Sequence, residues 1–342
     1  MPRKQTVILT AVMAVAALAL GWILLAVGRA GDEAGPEFPT SKMFDTGELL
    51  HLTETLSGDA LQGRYMGSPG GIAARGFLHK RFERAGLKPL GETSYEQPFT
   101  TVPPPDASEN FPKEGANLVG LLPGQTPGEG KMIVVTAHYD HLGIVKDEIY
   151  NGADDNASGA AALTAVAKYM ADHPPKHDIV FALVDGEEEG FLGSRYLVRS
   201  GVIDLSRVAL NINFDMVSRS DVDELYVAGT YETPGLKPLV SGIQSEAHVK
   251  VLTGHDSPDL GEDDWTMQSD HGAFYEAGIP FLYFGVEDHP DYHKPTDDFD
   301  KIPQDFFVRS VETLIMAVED ADQQLDSLDL TITEPANPVG AH

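Results

Sequence analysis

The sequence predicts an α/β protein with a mainly parallel, mixed central sheet flanked by helices on both faces, and three observations carry that expectation. Short apolar runs rich in β-branched residues, NLVGLL, MIVVTA, DIVFALV, ALNINF and PFLYFG, are separated by stretches with helical spacing. Three of these runs pass directly into ionisable residues at their carboxyl ends, the edge at which open α/β sheets bind ligands. The 342 residues are 42% hydrophobic and 23% charged, enough to bury the core of one large domain.

Taken in chain order, the first element is apolar throughout. Arg3 and Lys4 precede an uncharged run from Thr6 to Gly28, as long as the ~20 residues a helix needs to span hydrocarbon. The basic start orients it with the N-terminus in the cytoplasm. Gly28 and Ala30 also offer small residues for a signal-peptide cut, so residues 1–30 read as a membrane anchor or a cleaved signal. Either reading places the remainder outside the cytoplasmic membrane, in the periplasm or beyond. Residues 31–42, polar with Gly and Pro, suit a flexible linker.

Folded sequence is expected over 43–325. TGELLHLTETL and GIAARGFLHKRFERAG are amphipathic helices by spacing, and residues 98–115, rich in Pro and acid, read as a surface loop. After MIVVTA comes a helix around ALTAVAKYMAD, and after PFLYFG the long helical pattern QDFFVRSVETLIMAVEDADQQL closes the domain. Residues 326–342 are expected to form a disordered tail.

Charge and composition exclude several functions. Asp and Glu outnumber Lys and Arg 53 to 24, for a formal charge of -29, which would repel a phosphate backbone and makes nucleic acid an unsuitable partner. The chain has no cysteine, so any metal must be held by His, Asp and Glu.

The ionisable residues at the strand ends supply such a set. His138, Tyr139, Asp140 and His141 follow MIVVTA, Glu187, Glu188 and Glu189 follow DIVFALV, and Asp215 follows ALNINF. Between them, NGADDNASG packs two carboxylates among glycines. Asp154, Asn156, Ser158 and Gly159 match the start of a calcium loop, but its twelfth position, where a bidentate Glu is needed, is Ala165. His138 with Asp155, Glu188 and Asp215 forms instead a mixed nitrogen and oxygen set suited to zinc or a similar divalent ion, and carboxylates able to bridge suggest two ions. Asp140 is spaced to accept the other N–H of His138.

AHYDHLG, NGADDNASG, DGEEEGFLGS, NFDM, SDHGAF and YHKPTDD together resemble the M28 zinc aminopeptidases, in that family's order, and LQGRYMGSPGG and NLVGLLPG extend the likeness from about residue 50 to 320. The resemblance implies two co-catalytic zinc ions, one on His138 and Asp215, the other on Glu188 and His293, with Asp155 bridging both and Glu187 as general base. It implies a cis peptide after Asp155, and makes Asp270 and His271 a supporting pair outside the ligand set. It implies a peptide substrate losing its N-terminal residue, with carboxypeptidase, dipeptidase, cyclase or metal-free binding domain as alternatives. His141, His255 and His289 are expected near the cleft edge and are assigned no ligand role. Trp265 and Phe274 suit either a substrate pocket or ordinary packing.

Overall fold

The computed structural model describes residues 39–90, 94–105 and 111–333. The proposed anchor or signal lies outside these residues. Among the described residues no helix is long and apolar enough to cross a membrane.

Helix α1 (Thr46–Leu56) begins where the Asp45 side chain accepts the Glu48 amide, and α2 (Pro69–Ala85) begins where Ser68 accepts the Gly71 amide, with Pro69 preset for the first turn. Gly86, at φ 74°, ends α2 in the left-handed region that glycine enters without penalty. Next come β1 (Lys88–Pro89), β2 (Glu96–Thr100), β3 (Glu114–Leu122), β4 (Met132–His138) and the small hairpin β5 (Gly143–Val145) and β6 (Glu148–Tyr150). Helix α3 (Gly159–Asp172) leads to β7 (Asp178–Val184), α4 (Leu192–Arg199), β8 (Val208–Phe214), β9 (Glu224–Ala228), α5 (Lys237–Glu246), β10 (Lys250–Thr253), α6 (His271–Glu276), β11 (Phe281–Gly285) and α7 (Gln304–Gln324).

The main sheet runs β1-β3-β7-β4-β8-β11-β9-β10, with β2 also paired to β3. Strands β7, β4, β8 and β11 are mutually parallel, whereas β3 is antiparallel to β7 and β9 to β11. The mixed α/β architecture expected from the sequence is therefore present, with a parallel centre and antiparallel pairings toward both edges. Part of the 98–115 segment is strand instead of loop: residues of β2 pair with the start of β3, because alternate residues of β2 are buried.

Alternation along the central strands divides the core. Ile133, Val135 and Ala137 face a layer made by α1, α2, α3, α5 and α7, while Met132 and Val134 face α4 and α6 through Leu197 and Phe274. Every residue of β4 and β7 is buried, which is why these runs read as continuously apolar. Phe274 belongs to this second core layer and is a packing residue.

Of the expected tail, residues 326–333 are described and 334–342 lie outside the described residues. Leu328 and Leu330 pack on the core, and the Thr333 amide donates to the Glu232 carbonyl at 2.7 Å, so backbone pairing and two apolar side chains hold a segment whose composition suggests disorder.

Glu232 itself carries a pH dependence. Its side chain is 2% exposed and receives one hydrogen bond, from Thr266 Oγ1 at 3.0 Å, and burial pushes its carboxyl up to about 7. A raised acid favours the protonated fold, so its contribution is present at low pH and is lost as pH rises through the ordinary carboxylate range to about 7. Glu232→Gln removes that loss. Its melting temperature relative to the unmodified protein should rise by about 2–4 °C between about pH 5 and about pH 8; a gap that does not change with pH would refute this.

Candidate metal centre

The parallel strands end at one edge and deliver their ionisable residues there. His138 is the last residue of β4, Glu187 and Glu188 follow β7 by three and four positions, Asp215 follows β8 directly, and the loop after β11 carries His289 and His293. Asp155 arrives from a different element, the buried turn Ala153–Ser158 that leads into α3.

Asp155 stands between two histidines. Its Oδ1 lies 3.4 Å from His138 Nε2 and its Oδ2 lies 3.1 Å from His293 Nε2. On the first side Asp215 Oδ1 is 3.1 Å from His138 Nε2; on the other, Glu188 Oε2 is 3.5 Å from His293 Nε2. Donor atoms about 2.0–2.2 Å from one zinc ion are separated from each other by about 3.0–3.5 Å, so each half has ligand spacing and one carboxylate serves both. The residues present therefore fit two ions. The five proposed ligands lie close together, one His and one carboxylate on each side of Asp155.

Supporting contacts fix these side chains. Ser269 Oγ donates to Asp215 Oδ2 at 2.7 Å, leaving Oδ1 toward His138. The carboxylate of Asp297 accepts the amides of Asp154 and Asp155 at 3.1–3.2 Å, and Asn156 Nδ2 donates to the Phe214 carbonyl at 2.9 Å, joining the turn to the end of β8. The Asp155–Asn156 peptide is cis. Asp154 turns away from the centre: its Oδ1 accepts the Ser218 amide and hydroxyl at 2.8 and 2.7 Å, and its Oδ2 is 3.3 Å from His289 Nε2. Asp297 was not singled out by sequence reasoning. Its only signal was its place in YHKPTDD.

Asp140 differs in detail from the expectation. Its carboxylate is 3.8 Å from His138 Nδ1, too far to accept its proton; the Asp140 carbonyl, at 3.3 Å, is the nearer acceptor. The carboxylate accepts the amides of Glu187 and Glu188 at 3.2 and 3.4 Å, holding the doubled acid in place. The reason is local: the turn after β4 points the side chain of Asp140 toward the neighbouring strand end.

His271 is a core side chain. Its Nε2 donates to the Trp265 carbonyl at 2.9 Å, its ring packs on Phe281 and Tyr283, and burial lowers its pKa to about 3, which keeps it neutral. Its neighbour Asp270 is fully buried, and desolvation raises its carboxyl to about 6. His255 stacks on Trp265 with ring centroids 3.8 Å apart and pairs with Glu287, so Trp265 is engaged in an aromatic stack. His141, expected only at the cleft edge, lies inside the centre with Nδ1 2.6 Å from Glu188 Oε1.

Glu187 sits with His138 and Asp215, one ligand-type atom from each lying within 4.8 Å of the others. Its carboxyl is raised well above the usual range, first by burial, with Asp215, Asp270 and Glu188 adding to it against the opposing pull of His138. Asp155 is held well below the usual range because His141, His138 and His293 together outweigh its desolvation. One acid is thus inclined to hold a proton and its neighbour in space to stay charged.

A mixed sheet with histidine and carboxylate groups gathered at its carboxyl edge defines an α/β protein with a candidate metal centre. The chain belongs to Peptidase family M28, whose sequence pattern matches residues 117–318. It is 30% identical over 214 residues to aminopeptidase YwaD of Bacillus subtilis, covering 60% of this chain and 44% of that protein. It is 25% identical over 272 residues to a probable zinc metalloprotease of Pyrenophora tritici-repentis, covering 70% of this chain and 60% of that one. The chain thus spans about half the length of these relatives. In structure it is similar to an aminopeptidase from Aneurinibacillus sp. strain AM-1, with TM-score 0.66, 15% identity and coverage of 86% of this chain and 96% of that one. It is similar too to Porphyromonas gingivalis glutaminyl cyclase, with TM-score 0.65, 17% identity and coverage of 82% and 99%. These last two likenesses establish the fold.

Proposed function

We propose that this chain is a two-zinc aminopeptidase that removes N-terminal residues from peptides outside the cytoplasmic membrane. The observation that carries the choice of aminopeptidase is the charge around the centre. Asp140, Asp155, Glu187, Glu188, Asp215 and Asp270 surround it, while the basic side chains nearest it in the chain are engaged elsewhere. Arg64 spends its guanidinium on four main-chain carbonyls, Arg219 pairs with Asp291, and Lys294 Nζ donates to the Pro290 carbonyl. Among the described residues, these basic side chains offer a peptide's α-carboxylate no unpaired cation beside the centre, which favours a substrate held by its other end.

His138 with Asp215 would hold one ion and Glu188 with His293 the other, with Asp155 available to both. Zinc bound there would supply Lewis acidity and lower the pKa of water toward neutrality. Glu187 takes the proton of the attacking water on its carboxylate and returns it to the leaving amine nitrogen, which its raised proton affinity favours. Asp140 keeps Glu187 and Glu188 in register by accepting both amides. The duplicated half-sites favour this reading over a cyclase, for which one ion is sufficient. Export rests on the apolar run from Thr6 to Gly28 behind Arg3 and Lys4.

The test is hydrolysis of matched dipeptides and tripeptides with free and acetylated N-termini, together with zinc content per chain. A free-amine substrate should be cleaved and its acetylated twin spared, with close to two zinc ions bound. Equal cleavage of both, or loss of the C-terminal residue first, would exclude an aminopeptidase.

A further inference from the structure

We infer that His141 positions Glu188 by donating its Nδ1–H to Glu188 Oε1, and that it sets zinc affinity at the second ion position without being a ligand. The inference rests on reading the centre as a two-ion site.

His141, Asp155 and Glu188 have ligand-type atoms within 4.8 Å of one another, so two roles are open to this imidazole, and the shortest contact favours one. His293 Nε2 is 3.1 Å from Asp155 Oδ2 and 3.5 Å from Glu188 Oε2, the separation of atoms sharing an ion. His141 Nδ1 is 2.6 Å from Glu188 Oε1 and 3.7 Å from Asp155 Oδ2. Two donors bound to one zinc at about 2.0–2.2 Å in tetrahedral geometry stand roughly 3.4 Å apart, so 2.6 Å is a hydrogen-bond distance. Oε2 faces His293 and Oε1 faces His141: the two oxygens of Glu188 are divided between an ion position and a donor. Nε2 of His141 is buried without a partner. A proton there would be an unsatisfied buried donor, whereas a proton on Nδ1 finds Glu188 Oε1 as its acceptor.

The ring is held in a cradle shaped by the sequence. A Cβ at Gly152, whose φ is +54°, would lie 2.5 Å from the His141 ring, so this glycine of NGADDNASG leaves the space the imidazole fills. Arg64, from the LQGRYMGSPGG segment, ties the two flanks together: Nε donates to the Tyr139 carbonyl at 2.8 Å, Nη1 to the Asn151 and Leu56 carbonyls at 2.6 and 2.7 Å, and Nη2 to the Gly152 carbonyl at 2.9 Å. His141 is fully buried between these clamped segments, so little rotamer freedom remains for it to lose when Glu188 takes up an ion.

Asn and Asp at position 141 distinguish donation from ligation. The Asn amide nitrogen can reach the place of Nδ1 and donate to Glu188, but is a poor zinc ligand. The Asp carboxylate can ligate but cannot donate, and it repels Glu188. Zinc affinity of the full chain is measured by competition with a chromophoric chelator, with melting of the chelated proteins as a control for folding. His141→Asn should keep both zinc ions near the unmodified affinity, while His141→Asp and His141→Ala should weaken one of the two by about 10- to 100-fold. Cobalt substitution gives a second readout, since a retained ligand set keeps the absorption spectrum in His141→Asn. The inference is overturned if Asp retains zinc and Asn loses it, if Asn and Ala lose it equally, or if all three variants bind zinc unchanged. An unmodified protein that binds no zinc pair would instead refute the proposed function.

Discussion

Glu187→Gln should leave both zinc ions bound while turnover falls by about 10²- to 10⁴-fold, the usual cost of losing a general base. Glutamine keeps the size of the side chain and removes its ability to take a proton. Glu188→Gln should behave differently: one ion should bind more weakly, and added zinc should restore part of the rate by refilling the position. The contrast is needed because proximity alone does not assign the roles, as Glu187 has His138 and Asp215 within ligand reach and Glu188 has His293 and His141. The assignment is the one that the likeness to the M28 family implies, and burial that raises the Glu187 carboxyl accords with it. Zinc content and rate, measured with and without excess zinc, decide it. Equal zinc loss in both variants, or zinc rescue of Glu187→Gln, would refute the division of labour.

Asp155→Ala should cost the most metal of any single change. Its two oxygens face opposite histidines, so removing it opens both half-sites, and content should fall from about two ions per chain toward none. His293→Ala opens one half only. It should keep about one ion, on His138 and Asp215, because that pair does not include His293. His271→Ala serves as the control, since that imidazole is packed on Phe281 and Tyr283; it should lose about 2–4 kcal/mol of stability to a cavity yet retain both ions. The measurement is zinc per chain after gel filtration in metal-free buffer. Loss of an ion in His271→Ala with none lost in His293→Ala would reverse the ligand assignment.

Much of this was legible before the fold. The apolar runs that became β3, β4, β7 and β11 are distinguishable because strands buried on both faces lack polar alternation, while in β8 the alternating Asn211 and Asn213 are buried and hydrogen-bonded. The short strands β1, β9 and β10 were missed: two to five residues, some of them only partly buried or exposed, give too little pattern to separate from loop. The antiparallel placement of β3 was equally illegible, because strand direction depends on the connection and not on the run itself.

The sequence by itself determined the chemistry on offer: no thiolate, and histidine and carboxylate residues at the ends of strands that must be buried. Those are properties of a residue and its near neighbours, and periodicity and side-chain type express them directly. Which oxygen of Asp155 faces which histidine, that Asp140 serves Glu187 and Glu188 through its carboxylate, and that Asp297 holds the turn from 142 and 143 residues away are separations between remote segments. The same holds for His141. In sequence it is one more histidine after a strand, and only the packing of Gly152 against its ring and of Arg64 across both flanks brings it to 2.6 Å from Glu188. A hydrogen bond is made or lost over a few tenths of an ångström, and that precision comes from the close-packed interior that fixes both partners.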